Sequence, residues 1–276
     1  VLGRFDELPK YVKENGIDAV FIALPLRHMR RMQWLINELC DTTVSLYFVP
    51  DVFVFDLIQA RSGEILGVPV VSLCETPFHG LRPVAKRIMD VVIASIALVV
   101  LSPLMLFAAI GVKLSSPGPV IYRQARYGLD GRKITIYKFR TMSVMEGENE
   151  FHQVTREDSR VTRFGRFLRR TSIDELPQLI NVLQGRMSLV GPRPHAVAHN
   201  EEIRRLIRGY MLRHKVPPGI TGLAQIKGFR GATPRLADMH ARVHYDLEYM
   251  RNWSLWLDFK ILLKTVPQLI RSDRAF

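Results

Sequence analysis

The chain has 276 residues, 47% of them hydrophobic and 24% charged, and its 39 Lys and Arg against 26 Asp and Glu give a formal charge of +13. This length and composition exclude a disordered or fibrous chain and predict one large globular domain or two ordinary ones. The basic excess points to nucleic acid, an anionic membrane surface or phosphorylated substrates.

In chain order, the first predicted elements are a buried strand at 18–24 ("DAVFIAL"), a helix at 28–39 ("HMRRMQWLINEL") and a strand at 43–49 ("TVSLYFV"). Together they read as a βαβ unit of a small α/β domain with parallel strands. No G-x-G-x-x-G occurs, so no dinucleotide is assigned to it. The two cysteines, Cys40 and Cys74, give no disulfide framework and suit a reducing compartment. The sequence opens on Val1 without a signal peptide, which leaves preceding membrane segments open. The sequon at Asn252-Trp253-Ser254 carries no weight in such a compartment.

Next, Val91–Val112 runs 22 residues without a charge, about 33 Å as a straight helix against a bilayer core of about 30 Å. Pro103 removes a backbone donor and clashes with the carbonyl of Val99, and the Ser102 hydroxyl is available to satisfy a freed carbonyl. Lys86 and Arg87 precede the stretch, and Lys113, Arg123 and Arg126 follow it. Basic flanks on both sides suit a re-entrant helix-break-helix. A kinked span and a buried core helix are the other two readings.

From Lys113 to Arg170 there are 13 Lys and Arg against 6 Asp and Glu, a net +7, with strand-like pieces "PVIYRQ" and "KITIYKFRTM". This suits a surface lying on anionic headgroups; a solvated basic face is the plainer reading. Then comes "RRTSIDELPQLINVLQG" (169–185), in which Leu176, Leu179, Ile180 and Leu183 predict a helix with one buried face and Gly185 a stop. The acidic pair Asp174-Glu175 has a structural reading here. Ser172 and Glu175 fit a capping box, or Asp174 is the N-cap with Pro177 in the first turn.

The surroundings suggest chemistry instead. Arg163, Arg166, Arg169 and Arg170 precede the pair, and Pro192 and Pro194 flank Arg193 and restrict its orientation. A carboxylate among arginines is expected to stay ionised, as a nucleophile must, and a second beside it suits Mg²⁺. Two carboxylates, a cation site and several arginines describe phosphoryl transfer. His195 and His199 lack the further ligands a zinc site needs. Tyr249, Trp253 and Trp256 recur at helical spacing before an apolar run, which reads as core or as an interfacial helix.

"KFRTM" (138–142), "RRTSIDELPQLINVLQG" (169–185), "MSLVGPRP" (187–194) and "PGITGLAQ" (218–225) resemble the bacterial sugar transferases, the monotopic phosphoglycosyl transferases, over Pro83–Ile270. The resemblance implies an α/β architecture in three parts. These are a truncated Rossmann-like N-terminal domain (1–80), a re-entrant membrane helix broken at Ser102-Pro103 (83–114) and a compact α+β catalytic domain (115–276). It implies transfer of hexose 1-phosphate from a UDP-sugar to undecaprenyl phosphate with release of UMP, as the first step of exopolysaccharide or capsule synthesis. Asp174 would be the covalent nucleophile, and Glu175 with Asp174 would hold Mg²⁺. Lys138, Arg140, Arg169 and Arg193 would bind substrate. Residues 196–222 are most similar to the glucose members, with galactose the second choice. The expected setting is the cytoplasmic face of a bacterial inner membrane with anionic lipids as partners and no nucleic acid; a homodimer is left open. The competing reading, from charge alone, is a membrane-tethered basic binding protein.

Overall fold

In the first 50 residues, apolar side chains recur at helical spacing in Met32, Leu35 and Leu39 and alternate in Val20–Ile22 and Leu46–Phe48, and these are the ones buried. The computed structural model describes residues 4–25, 28–49, 63–65, 68–74, 78, 80–143, 158, 160–207, 209–229, 231 and 235–271. Part of the basic stretch, 144–157 and 159, therefore lies outside the described residues, as do 50–62 of the N-terminal domain. Helix α1 (Leu8–Asn15), strand β1 (Ala19–Ile22), helix α2 (Met29–Leu39) and strand β2 (Ser45–Phe48) follow in order. β1 and β2 are parallel, from Ala19↔Ser45 to Ile22↔Phe48, as the βαβ reading requires. The sheet then departs from an all-parallel pattern. β3 (Gly63–Ile65) and β4 (Val68–Cys74) complete it in the order β1-β2-β4-β3, and β4 runs antiparallel to both neighbours. Only two residues separate β3 from β4, too few for the crossover a parallel pair needs.

Helix α3 (Arg82–Ser115) is a single element of 34 residues with Pro103 inside it, about 51 Å of helix at the standard rise. The Ser102 hydroxyl donates to the Val99 carbonyl at 2.8 Å, the acceptor that the proline leaves without its usual N–H. The helical element runs through Ser102-Pro103, with the side chain supplying the donor that the proline lacks. Among the described residues α3 is the one helix long and apolar enough to cross a membrane. Its middle, including Ile96, Val99, Val100, Leu104, Leu106 and Phe107, is exposed. Its two ends are not. Lys86, Asp90 and Ala94 are buried near the start, and Ala108 and Val112 near the finish.

Strands β5 (Ile121–Tyr127) and β6 (Lys133–Phe139) form an antiparallel hairpin closed at Tyr127↔Lys133. Its tip places Asp130 (φ 52°) and Gly131 (φ 68°) in the left-handed region that tight hairpins demand. Helix α4 (Arg163–Thr171) is capped by the Thr162 side chain, which accepts from the Gly165 N–H at 2.9 Å. One 3₁₀ turn (Ile173–Glu175), helix α5 (Gln178–Leu183), strand β7 (Ser188–Val190) and helix α6 (Val197–Leu206) follow. After a 3₁₀ segment at Tyr210–Lys215 come β8 (Gly219–Thr221), α7 (Leu223–Ile226), α8 (Leu236–Arg251) and α9 (Leu255–Arg271).

The central core joins Leu179, Val182, Met187, Val190, Tyr249, Trp253 and Ile261 to Ala94 and Ile136, so α3 shares one core with the segment after it. β7 and β8 are parallel and approach so closely that a Cβ on Gly219 or Gly222 would collide with the Gly191 backbone. That contact explains both glycines of "PGITG". Two sequence readings change here. The buried face of α5 matches the Leu/Ile stripe only in part: Leu179 is buried and Leu183 packs against the core, but Ile180 is exposed, and Gln178 and Asn181 are buried. Asn181 accepts from the Tyr137 N–H and donates to the Thr135 carbonyl, both at 2.9 Å, satisfying the open edge of β6. The aromatic trio is also divided, because the chain leaves the helix between α8 and α9. Tyr249 and Trp253 are buried on Asp258, at 2.8 and 3.2 Å, whereas Trp256 is exposed on α9.

Candidate active site

Three elements bring the acidic pair into place. α4 ends at Ser172, whose φ of 57° turns the chain sharply, and the 3₁₀ turn Ile173–Glu175 follows at once. Neither reading of the pair as a cap holds. α5 starts from Pro177 with no side-chain cap, and the turn itself has none. The two carboxylates serve different ends.

Glu175 is clamped. Lys138, projecting from β6, reaches its Oε1 at 2.7 Å, and the Arg193 guanidinium straddles both oxygens at 3.0 and 2.5 Å. Burial pushes the Glu175 carboxyl up, but the Arg193 and Lys138 charges outweigh it and hold it well below the usual carboxylate range. Asp174 is only 8% exposed and makes no hydrogen bond or ion pair among the described residues. Burial, and then the neighbouring Glu175 charge, push its carboxyl up to about 6 against the pull of Lys138, Arg169 and Arg193. Desolvation thus outweighs the nearby cations, yet the expectation of an ionised carboxylate at neutral pH holds. At neutral pH it is still mostly a carboxylate, buried and undershielded by donors, which is the condition of an active oxygen nucleophile.

Arg169 stands close by on α4, with Nε bonded to the Thr141 hydroxyl at 2.8 Å. Arg140 goes elsewhere. It lies just beyond β6, and its guanidinium donates to the Ser116 and Pro117 carbonyls at 2.6 and 2.7 Å. It closes the segment after α3 and is not among the side chains gathered on the acidic pair. Lys138, Arg169 and Arg193 are gathered there, as expected.

The Pro-Arg-Pro loop is held at three successive carbonyls. Pro192 accepts from the Gly219 N–H at 2.9 Å, Arg193 from Arg213 at 2.8 Å and Pro194 from Arg126 at 3.0 Å. Two rigid prolines and three donors leave the Arg193 side chain one approach to Glu175. Behind the loop, Arg213 pairs with Asp246 at 2.7 Å, both out of water. His195 has its Nδ1 2.6 Å from the Tyr210 hydroxyl and its Nε2 3.2 Å from Arg242. Burial and the Arg213 and Arg242 charges hold its imidazole well below its ordinary range, so it is neutral. Tyr210 donates to Asn200 at 2.7 Å, and both ring nitrogens of His195 face arginines, Nδ1 at 2.9 Å from Arg213 and Nε2 at 3.2 Å from Arg242. The histidines are parts of this scaffold. Sequence reasoning missed Arg126, Tyr210, Arg213, Arg242 and Asp246, since each reaches the loop from a distant element. The one local signal was Arg242 and Asp246 lying a turn apart on α8.

A cavity of about 100 Å³ opens beside Glu175, walled mainly by Leu176, Leu179, Ile220, Thr221 and Gln225. For a metal, the described residues offer no group of three or more His, Cys, Asp or Glu. Two adjacent carboxylates suit Mg²⁺, which takes one or two protein ligands and completes its shell with water and substrate phosphate.

A buried, unpaired aspartate beside a cation-clamped glutamate, next to an apolar helix of membrane-spanning length, defines a class. The chain belongs to the bacterial sugar transferase family, whose model matches residues 81–272. A second family model, described as a CoA-binding domain, matches residues 1–50. Among individual proteins, it is 52% identical over 264 residues to the UDP-glucose:undecaprenyl-phosphate glucose-1-phosphate transferase of Klebsiella pneumoniae and 53% identical over 264 residues to that of Escherichia coli K12. Each match covers 96% of this chain and 57% of the relative, so the chain spans little more than half their length. The Caulobacter vibrioides protein of the same description is matched along its whole length, at 43% identity and 96% of this chain.

Proposed function

We propose that the chain transfers glucose 1-phosphate from UDP-glucose to undecaprenyl phosphate, through a covalent intermediate on Asp174, as the first step of exopolysaccharide or capsule synthesis. The observation that carries the reading is the contrast between the unpaired Asp174 and the clamped Glu175. An Asp174 oxygen attacks the sugar-bearing phosphorus, the bond to the bridging oxygen breaks, and UMP leaves with that electron pair. An oxygen of the lipid phosphate then attacks the same phosphorus and frees the carboxylate. Arg169, Arg193 and Lys138 offset the charge on the phosphates and need no reorganisation to do so. Mg²⁺, held by Asp174 and Glu175, would supply further neutralisation of the diphosphate. Glucose is supported by the names of the relatives above.

The setting belongs to the same proposal. α3 enters the membrane re-entrantly from the cytoplasmic face of the bacterial inner membrane. In support, both its ends are tied to the same catalytic core. Arg87 donates to the Val182 and Leu183 carbonyls near one end, while Ala108 and Val112 pack with Phe139 and Leu168 near the other. The exposed apolar residues lie between. The basic surface of the catalytic part faces anionic lipid headgroups, and residues 1–80 are read as a Rossmann-like module.

The deciding experiment incubates purified chain, Mg²⁺ and UDP-glucose without lipid. Intact mass should show a hexose-phosphate adduct with stoichiometric UMP, and neither with Asp174→Asn. An active protein that forms no adduct and gives intersecting double-reciprocal plots excludes the two-step route.

A further inference from the structure

Arg126 looks at first like one of the basic residues flanking the membrane segment, yet it is built into the site. Its Nη1 donates to the Pro194 carbonyl at 3.0 Å, its Nε to the Gln124 side chain at 3.1 Å, and its backbone bridges to Ala196. Strand register places it on the working face of the hairpin. Tyr122 opposes Lys138 and Arg126 opposes Ile134, so Arg126 and Lys138 project from the same side of the sheet.

What sets Arg126 apart is its partners. Lys138 and Arg193 are taken by Glu175, and Arg213 by Asp246. Arg126 meets no carboxylate among the described residues, only a carbonyl and an amide oxygen. Arg242 likewise donates to the Phe229 and Gly231 carbonyls and to His195. Burial and the nearby Arg193 push both guanidinium groups down to about 10, so both stay cationic at neutral pH. Among the described residues, Lys138, Arg126, Arg169, Arg193, Arg213 and Arg242 thus face Asp174, Glu175 and Asp246, with Asp158 also acting on Arg169. A cation surplus kept out of water is costly unless an anion completes it. Arg242 is sealed behind His195 at 4% exposure, whereas Arg126 is only partly covered and can touch a ligand.

We propose that Arg126 binds the departing phosphate of the nucleotide, the group that becomes the phosphate of the released nucleoside monophosphate. This rests on the transferase reading above and assigns a residue to one half of its substrate. Asp174 lies within the fields of Lys138, Arg169 and Arg193, which surround the transferred phosphate; Arg126 feels Arg193 and Glu175 instead. Its contact is with the carbonyl of Pro194, the residue that follows Arg193 in the loop. When the bridging P–O bond breaks, its electron pair goes to the leaving phosphate, and a guanidinium there offsets the new charge without moving.

The test separates a phosphate ligand from a brace for the Pro-Arg-Pro loop. Calorimetry on the purified chain in detergent measures UMP and uridine affinities for wild type, Arg126→Gln and Arg126→Lys. The expected result is that Arg126→Gln lowers the preference for UMP over uridine about tenfold or more, the size of a charge-assisted contact. Uridine affinity should stay unchanged, and Arg126→Lys should recover part of the preference. If Arg126→Gln weakens both ligands equally, Arg126 is only a brace and the proposal falls while the transferase reading stands. If wild type prefers UMP no more than uridine, the proposal falls as well; the lipid-free adduct assay then reports separately on the transferase. A second measurement needs no variant. Phenylglyoxal labelling of wild type, read by peptide mass, should be blocked at Arg126 by UMP and not by uridine, and equal labelling with either ligand overturns the proposal.

Discussion

Lys86 near the start of the long apolar helix and Asp258 near the start of the last helix meet at 2.7 Å, with both side chains out of water. The contact is part of a knot. Lys86 also reaches Asp90 at 3.3 Å and the Val190 carbonyl at 3.2 Å, the Leu189 N–H donates to Asp90, and Tyr249 and Trp253 both donate to Asp258. The knot fastens the entry of α3 to the strand that leads into the Pro-Arg-Pro loop, coupling the membrane element to the site.

Replacing Lys86 with Met should therefore be severe. It leaves Asp90 and Asp258 buried without a cation, a loss of about 3–5 kcal/mol. Thermal unfolding in detergent should show the midpoint falling by about 6 °C or more. Lys86→Arg, which keeps the charge, should lose less.

Asp174→Asn should abolish turnover and at the same time stabilise the fold. The carboxyl ionises at about 6 in the folded protein, against about 3.9 when unfolded. A raised acid binds its proton more tightly in the native state. Its favourable contribution is full below about pH 4 and is lost as pH rises through 6. The neutral amide avoids that loss, so the variant's melting point should exceed wild type by a few degrees at pH 8. The gap should close towards pH 4; a constant gap would assign it to packing.

The same ionisation sets the pH dependence of the first chemical step. The rate of UMP release without lipid should fall tenfold per pH unit below about 6 and level off above it, because only the carboxylate attacks. Stopped-flow or quench measurement of that single turnover gives the limb directly.

Glu175→Gln should act in two ways. It leaves the Lys138 and Arg193 cations without their carboxylate, and it removes one proposed Mg²⁺ ligand. The expected readout is a lower burst amplitude together with a weaker response to Mg²⁺ concentration. An unchanged magnesium titration removes Glu175 from the metal site.

Replacing Ser102-Pro103 with Ala-Leu restores the N–H to the Val99 carbonyl that the Ser102 hydroxyl now serves. A regular helix of this length favours a straight span. Cysteine labelling in spheroplasts should find residues before α3 and residues of α4 on one side of the membrane in the native protein. In the variant they should be on opposite sides.

Much of this protein is determined by local sequence. The βαβ start, the apolar helix and a serine hydroxyl beside Pro103 to serve a freed carbonyl follow from periodicity and proline chemistry, each depending on residues close in the chain. The Lys138, Arg169 and Arg193 set came instead from the resemblance to the sugar transferases. Tertiary structure decided what depends on distant partners. The spacing of Leu176, Leu179, Ile180 and Leu183 could not show that β6 has an open edge needing Asn181. Nor could Arg140, two residues beyond Lys138, reveal that its reach ends at the Ser116 and Pro117 carbonyls. The difference between Asp174 and Glu175 is of the same kind. Two adjacent carboxylates are equivalent in a sequence, and they part ways only because the fold brings Lys138 and Arg193 onto one and leaves the other desolvated, without a hydrogen bond among the described residues.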